Sequence, residues 1–300
     1  MSRRSKGKNI HGIILLDKPA GYTSSQAVQK VRWLFNARKA GHTGSLDPFA
    51  TGMLPICLGE ASKTAGFMLD ASKRYLATAR MGEATATGDT EGDVITEKPV
   101  PSLTPADIEE AFGFFCGPIE QVPPMYSALK HKGQPLYKLA RAGKVVERNS
   151  RKVLIHGLEL VSWRSPLLVF NVHCSKGTYV RTLAEDIAAK LETCAHLQDL
   201  RRLAVEPFQE EGMIRLDDLE QAVAAGQQDS LLLPLDAGLE SWPMVQVDGE
   251  EQVRFTHGNP ALMQDIHRGN VRVYAKSGEI LGLGEGREDN KVYPKRLFNL

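Results

Sequence analysis

The most informative stretch of this sequence is GHTGSLDPFATGMLP, residues 41–55. It has glycines near both ends and a single carboxylate, Asp47, directly before Pro48. Because a residue before proline is restricted to extended backbone angles, such a loop can hold the Asp47 carboxylate in one direction. A fixed carboxylate is what nucleophilic or acid–base catalysis requires. On these residues alone, an ordinary Asx turn at Asp47 is the alternative.

The segments on either side of this loop predict a mixture of helices and strands. Residues 9–16 have the apolar pattern of a buried strand, and Thr23 followed by Gln26 has the form of a capping box that opens a helix. Behind Gly177, a second helix presents apolar residues on one face. The pattern as a whole predicts the α+β class. The other predicted elements are strands near 74–81, 152–164, 167–175 and 197–205, and helices near 60–68, 104–115 and 215–224.

Composition divides the chain into three parts. Residues 1–8 form a basic arm, which either contacts a phosphate backbone or is a frayed terminus. Residues 9–245 form the main domain, which is interrupted at 123–152 by a basic, poorly periodic segment with two tyrosines. Residues 246–300 consist largely of short β-like runs separated by glycines, and we expect a small all-β domain there.

The formal net charge of +1 hides an uneven distribution of charge along the chain. Residues 1–80 carry 13 basic and 4 acidic side chains, and residues 121–202 carry 14 and 6. Residues 81–120 and 203–247 each carry 9 acidic side chains and 1 basic side chain. A polyanion could bind where the two basic blocks meet, and uneven solvated surfaces are the alternative. We expect the acidic blocks to lie mostly away from such a site.

Several classes of protein are excluded by what the sequence lacks. No apolar run approaches the roughly 20 residues of a membrane helix, and no signal peptide is recognisable. Motifs for nucleotide phosphates, for a serine nucleophile and for zinc hydrolysis are absent, so we expect neither metal nor cofactor. A reduced, cytoplasmic protein is the expectation. No CxxC pair is formed by the four cysteines, which are Cys57, Cys116, Cys174 and Cys194.

Five blocks of sequence together resemble the bacterial TruB family of tRNA pseudouridine synthases. They stand in the family's order and spacing over about residues 9–205, which rules out the Asx turn as the whole explanation of Asp47. Residues 246–300 resemble the family's PUA-like RNA-binding domain in position, size and β-rich character. The five blocks are residues 17–24 (DKPAGYTS), 41–55, 121–128 (QVPPMYSA), 174–182 (CSKGTYVRT) and 200–203 (LRRL).

The resemblance implies that a uridine in the T loop of tRNA, at tRNA position 55, is isomerised to pseudouridine without metal or cofactor. It also implies the pseudouridine synthase fold, with a central and mainly antiparallel sheet. The implied partner is the T stem-loop of tRNA, with no membrane, no obligate protein partner and a monomeric enzyme. Two alternatives are a non-catalytic module that binds or folds RNA, and a pseudouridine synthase that acts on another RNA.

The resemblance assigns the chemistry to three residues. Asp47 is the nucleophile, which attacks either ribose C1′ or uracil C6, and Arg181 is its basic partner. Tyr75 stacks on the extruded base, with proton acceptance as a second role. Read without the resemblance, Tyr75 would be a core residue, and Arg181 would form a surface pair with Glu185 four positions along its helix.

The remaining implied residues bind the RNA. His42 helps to hold the rearranged T loop, and Tyr179 and Leu200 line the uracil pocket. Leu200 alone would be a core residue. Residues 123–152 correspond to an inserted segment that is mobile in the free protein and closes on RNA, and an ordinary basic surface loop is the alternative. The candidate contacts to the RNA backbone are Lys18, Lys130, Lys132, Arg141 and Lys176.

Overall fold

The structure, a computed structural model, describes residues 7–263 and 267–300. The predicted basic arm therefore lies outside the described residues except for its last two. Of these, Lys8 donates its backbone N–H to the carbonyl of Asn36.

The described ranges contain both helices and strands, as the sequence predicts. The strands are β1 Gly12–Lys18, β2 Ala40–His42, β3 Thr51–Leu58, β4 Lys73–Met81, β5 Glu83–Thr85, β6 Val94–Glu97, β7 Gly117–Gln121, β8 Lys130–His131, β9 Gln134–Pro135, β10 Arg151–Arg164, β11 Leu167–Cys174, β12 Ala195–Val205, β13 Ile214–Arg215, β14 Met244–Val247, β15 Ala261–Leu262, β16 Gly269–Ala275, β17 Ile280–Gly286 and β18 Lys291–Leu297. The helices are α1 Ser24–Leu34, α2 Ala65–Met68, α3 Pro105–Gly113, α4 Leu136–Arg141, α5 Val180–Lys190, α6 Leu216–Ala224 and α7 Gly249–Thr256, with 3-10 turns at Gly59–Lys63, Glu210–Gly212, Gln228–Leu231 and Ala237–Leu239.

A large sheet forms the centre of the main domain. Within the described part of the chain it has nine strands, in the order β13-β1-β3-β12-β4-β11-β10-β7, with β2 added beside β3. Neighbouring strands are antiparallel except for β1 with β13 and β3 with β12. The α+β class and the mainly antiparallel sheet are therefore confirmed.

Helix α5 shows why the sequence pattern of this domain was readable. The apolar residues on one face of this helix recur at helical spacing and are buried. They pack with the buried residues of α3 and with those of β4, β11 and β12 in one hydrophobic cluster. Helix α1 begins with the capping box expected from Thr23 and Gln26, and α3, where only a helix was expected, also begins with a capping box. The buried apolar residues of α5 are Val180, Leu183, Ala184, Ile187 and Ala188, and the buried Leu191 follows directly after the helix.

Two segments that the sequence presented as irregular have regular structure. The acidic stretch after β4 contains the short antiparallel pair of β5 and β6. The basic insert 123–152 contains the hairpin of β8 and β9, followed by α4. These elements are two to six residues long, too short to show periodicity in a sequence.

The C-terminal part forms a second sheet with its own core. Its strand order is β14-β16-β17-β18-β15, and the sheet begins at Met244, slightly before the boundary expected at 246. The expectation of an all-β domain was wrong in one respect, because α7 packs Phe255 into this core. Most residues of α7 are polar, so its apolar pattern was too sparse to be recognised.

No helix in the described ranges is long and apolar enough to cross a membrane.

Candidate active site

Several hydrogen bonds fix the loop between β2 and β3 on both sides of Asp47. Ser24, the first residue of α1, accepts a hydrogen bond from the Leu46 backbone N–H at 2.8 Å and donates to the Leu46 carbonyl at 3.0 Å. On the other side, the Lys18 ammonium group donates to the Pro48 carbonyl at 3.2 Å. The start of α1 and the end of β1 thus hold the Asp47 backbone in place.

Lys18 is not the exposed side chain that the expected contact with the RNA backbone requires. Its side chain is fully buried, and the ammonium group also donates to the carbonyls of Pro19 and Tyr22. Burial lowers the pKa of Lys18 to about 8, and the nearby Asp47 carboxylate partly opposes this shift. The lysine is a structural part of the loop, and its position in a Lys-Pro turn gave no sign of its burial.

Arg181 holds two carboxylates at the start of α5. One guanidinium nitrogen lies 3.0 Å from an Asp47 oxygen, and another lies 3.2 Å from an Asp89 oxygen. The same two nitrogens donate to the carbonyls of Tyr126 and Thr87. The side chains of Arg181 and Asp89 are 4% and 2% exposed, whereas that of Asp47 is 39% exposed. The cluster is therefore buried except for one carboxylate.

The surroundings of Asp47 act on its ionisation in opposite directions. Burial raises the pKa of Asp47, because the protein around it solvates the charged form less well than water does. Arg181 lowers this pKa, and the like charge of Asp89 raises it. The net direction is upward, so the ionised carboxylate has a higher free energy here than on a free surface.

A cavity of about 300 Å³ lies beside the open carboxylate of Asp47. Tyr75 of β4 and Leu200 of β12 lie on its wall, together with Tyr179, which immediately precedes α5. Burial raises the pKa of the Tyr75 phenol and that of the Tyr179 phenol, so both are neutral near pH 7. The structure thus brings together the predicted residues Asp47, Arg181, Tyr75, Tyr179 and Leu200.

His42 lies in the same loop but is not among the residues that line the cavity. Its Nδ1 accepts a hydrogen bond from the Gly44 backbone N–H at 3.2 Å, which orients the ring. Burial and the positive charge of Arg202 lower the pKa of His42, so the imidazole is neutral near pH 7. A neutral ring can stack on a base or form hydrogen bonds, but it adds no charge.

The sequence analysis assigned no role to two residues of the site. Asp89 lies within the acidic block 81–120 and was not singled out, and Arg202 was quoted only as part of the block 200–203. Arg202 is almost fully buried and donates to the carbonyls of Gly44, Ser45 and Met53, which ties β12 to the loop that carries Asp47. A buried cation with three carbonyl partners cannot be recognised without the fold.

The other predicted contacts to the RNA backbone are exposed, and their role stays a prediction. Lys130 and Lys132 lie at the β8–β9 hairpin, and Arg141 ends α4 with its guanidinium 5.8 Å from the Tyr137 ring centre. Lys176 lies 2.7 Å from Asp70 in an exposed ion pair. Such pairs contribute little to stability, so Lys176 remains free to bind another anion.

Comparison with known proteins bears on this site. The family profile described as "TruB family pseudouridylate synthase (N terminal domain)" matches residues 32–180. The profiles "tRNA pseudouridylate synthase B C-terminal domain" and "Pseudouridine synthase II TruB, C-terminal" match 181–240 and 243–298. The chain belongs to the TruB family. It is a tRNA pseudouridine synthase, an isomerase that acts on tRNA.

Relatives of this TruB-family enzyme cover nearly its whole length. The tRNA pseudouridine synthase B of Pseudomonas putida (strain GB-1) is 49% identical over 295 residues, which are 97% of this chain and 96% of the relative. That of Pseudomonas aeruginosa (strain UCBPP-PA14) is also 49% identical, over 97% of each protein. The resemblance drawn from the five sequence blocks is therefore confirmed.

Solved structures show the same fold. A chain of "a Cbf5-Nop10-Gar1 Complex" aligns with a TM-score of 0.73 at 27% identity, covering 96% of this chain and 85% of that one. A chain of an "H/ACA RNP bound to a substrate RNA containing 2'-deoxyuridine" gives 0.74 at 23% identity, covering 100% and 92%. The second similarity concerns the fold alone.

Proposed function

We propose that this enzyme isomerises the uridine at position 55 in the T loop of tRNA, with Asp47 as the nucleophile. The observation that carries the proposal is the open carboxylate of Asp47, which is ion-paired with Arg181 beside a cavity lined by Tyr75 and Leu200. The identity of the T loop as substrate rests on the family resemblance of the sequence blocks.

The reaction breaks the bond between uracil N1 and ribose C1′ and forms a bond between uracil C5 and C1′. A nucleophile permits this exchange by bonding to the substrate for part of the cycle. The Asp47 carboxylate attacks either C1′, which releases uracil, or C6, which turns the base into an adduct. In both routes the proton at C5 leaves after the new bond forms, and Asp47 is regenerated.

Arg181 supports this step by holding Asp47 in place and in its ionised form. Its hydrogen bonds to two carbonyls and its pair with Asp89 fix the guanidinium, so the guanidinium in turn directs the Asp47 carboxylate. Only an ionised carboxylate is a nucleophile. Burial raises the pKa of Asp47, and the opposing effect of Arg181 favours the ionised, reactive form.

The target uridine must leave the stacked RNA loop before it can reach Asp47. The cavity offers the extruded base an aromatic surface at Tyr75 and an apolar contact at Leu200. Tyr75 is also a candidate acceptor for the C5 proton. All these groups come from one chain, so we expect a monomer to be active without a partner protein.

The two basic blocks of the sequence, residues 1–80 and 121–202, supply contacts to phosphate groups outside the cavity. The insert 123–152 carries exposed Lys130, Lys132 and Arg141, and its residues Ser127 and Ala128 line the cavity. We propose that this insert packs against the bound RNA and that the C-terminal domain binds another part of the tRNA.

Asp47→Asn tests the nucleophile assignment, because the amide has the same shape but cannot form the bond. We expect the single-turnover rate to fall by at least about 10³-fold, measured as tritium release from uridine labelled at C5 in a tRNA transcript. Asp217→Asn is the matched control, since this exposed aspartate lies on α6 outside the cavity, and it should retain the wild-type rate.

Three results would contradict the proposal. A wild-type rate for Asp47→Asn would contradict the assignment of Asp47 as the nucleophile. Unchanged tritium release from a transcript with cytidine in place of uridine 55 would remove the T loop as the target. Tight tRNA binding with no turnover in the wild type would favour the non-catalytic alternative.

A further inference from the structure

A buried serine beside the cavity takes no part in the chemistry described so far. Ser127 is 6% exposed and lines the same cavity as Asp47, Tyr75 and Leu200. Its Oγ is buried and has no hydrogen-bond partner. It lies near the Tyr179 phenol and lowers the pKa of that phenol, although the two groups do not meet with hydrogen-bond geometry. A buried hydroxyl without a partner is uncommon in a folded protein.

The charged groups on the cavity wall are already engaged within the protein. Arg202 donates to three backbone carbonyls, and the Lys73 ammonium group donates to the carbonyls of Leu69 and Ala71. Arg181 pairs with both Asp47 and Asp89. The unpartnered Ser127 hydroxyl therefore stands out as the buried polar group of this wall that still needs a partner.

The backbone around Ser127 is held firmly in position. Its carbonyl accepts a hydrogen bond from the Tyr137 N–H at 3.1 Å, at the beginning of α4. The carbonyl of the preceding residue, Tyr126, accepts from Arg181 at 2.8 Å. Ser127 is thus connected on one side to the basic insert and on the other to the group that holds the nucleophile.

We propose that the Ser127 hydroxyl donates a hydrogen bond to a carbonyl oxygen of the uracil ring when the target uridine enters the cavity. This inference rests on the proposed function, which places the reacting base in that cavity. The cavity surface at Tyr75 and Leu200 suits the flat uracil ring, whereas the ribose and its phosphates remain connected to the rest of the RNA chain outside the cavity. Ser127 lines the same cavity, so we place its hydroxyl against the base and not against the ribose.

The expected consequence is selection of the correct base position for reaction. The hydrogen bond gives Ser127 the partner that it lacks in the free enzyme, so binding of the base is favoured in one orientation. Because the Tyr126 carbonyl is bonded to Arg181, this orientation is set relative to the Asp47 carboxylate as well. Ser127 is thus a substrate-binding residue that also links the insert to the reacting group.

Thio-substituted substrates test this hydrogen bond directly, since sulfur accepts hydrogen bonds more weakly than oxygen. Wild-type enzyme and Ser127→Ala are compared on tRNA transcripts with uridine, 2-thiouridine or 4-thiouridine at the target. We expect Ser127→Ala to lower kcat/KM on the uridine transcript about tenfold. We expect one of the two thio substitutions to lower the wild-type value by a similar factor and to leave the Ser127→Ala value nearly unchanged.

Ser62→Ala is the matched control, because Ser62 Oγ is also buried without a partner but lies away from the cavity. This variant should show wild-type rates and wild-type sensitivity to both thio substitutions. Thermal melting checks that Ser127→Ala is folded, and the thio effect on the wild type needs no variant at all.

Three results would overturn the inference. They are a wild-type kcat/KM for Ser127→Ala, no thio effect on the wild type, and equal thio effects on the wild type and Ser127→Ala. The failure of the proposed function would look different, because the wild type would then form no pseudouridine in the T loop of the uridine transcript.

Discussion

Two clusters in this enzyme each pair an arginine with aspartate, but they differ in how far an aspartate side chain is exposed. In the first, Arg181 pairs with Asp89 and Asp47, and the Asp47 side chain is 39% exposed to the cavity. In the second, Arg272 of β16 lies 3.0 Å from Asp236, whose carboxylate also accepts from the Tyr274 hydroxyl at 2.6 Å. The Asp236 side chain is only 5% exposed.

The difference separates the proposed nucleophile Asp47 from a carboxylate with a structural role. Asp236 is enclosed by its two donors, and burial together with Asp236 raises the pKa of Tyr274 to about 12. The Asp236 cluster joins the C-terminal sheet to the segment that follows α6. Both the sheet and this segment contribute apolar residues to the hydrophobic core beside the cluster. The Arg181 cluster has two carboxylates for one cation, which leaves one of them open to substrate.

After the loss expected for Asp47→Asn, the largest effect on turnover is expected from Asp89→Asn, which removes the enclosed carboxylate of the Arg181 cluster. Arg181 then loses a partner and can shift together with Asp47, and small displacements of reacting groups cost on the order of 10²-fold in rate. Single-turnover tritium release should fall by about this factor. Asp93→Asn in the same acidic block is the control. A wild-type rate for Asp89→Asn would show that Asp47 needs no support from Asp89.

A smaller effect, on stability and not on turnover, is expected from Asp236→Asn. Removing one partner of a buried ion pair leaves Arg272 without a counter-charge, which costs about 3 kcal/mol of unfolding free energy. Urea unfolding should show this loss, while the turnover of the folded enzyme stays within about twofold of wild type because the cluster lies outside the cavity. Unchanged stability, or a large loss of turnover in folded protein, would contradict the contrast between the clusters.

The smallest effect is the pH dependence of stability at Asp47. Because the folded-state pKa of Asp47 is raised above its usual 3.8, ionisation of this carboxyl lowers stability as the pH rises through the raised pKa. Asp47→Asn should therefore be somewhat more stable than the wild type at pH 7, and the gap should narrow as the pH falls towards 3.8. Urea unfolding at several pH values measures the gap. A difference in stability that widens as the pH falls would contradict the upward direction of the Asp47 pKa shift.

Much of the fold could be predicted because local sequence patterns indicate its helices and strands. The periodic apolar residues of α5 and the capping boxes of α1 and α3 are readable within a few residues of sequence. The elements that were missed are short or mostly polar. Strands β8 and β9 have two residues each, and α7 has few apolar residues, so their structure depends on contacts with distant parts of the chain.

The residues of the candidate site likewise divide into those that the sequence indicated and those that it did not. Asp47 and Arg181 lie in two of the five sequence blocks, the family resemblance implied Tyr75 as well, and the structure brings all three together. Asp89 was missed because its neighbours in sequence are acidic and turn-like, whereas its partner Arg181 comes from a different part of the fold. Lys18 was misjudged because burial of its ammonium group depends on the Pro48 loop folding over it. Such pairings become visible only in three dimensions.

The central claim is that the open carboxylate of Asp47 reacts with the target uridine, while the enclosed carboxylate of Asp236 holds the structure. Single-turnover tritium release by Asp47→Asn and Asp236→Asn, measured side by side at saturating enzyme and corrected for folded protein, tests it most directly. Asp47→Asn should release essentially no tritium, and Asp236→Asn should release it at nearly the wild-type rate. Comparable rates for the two variants would contradict the claim.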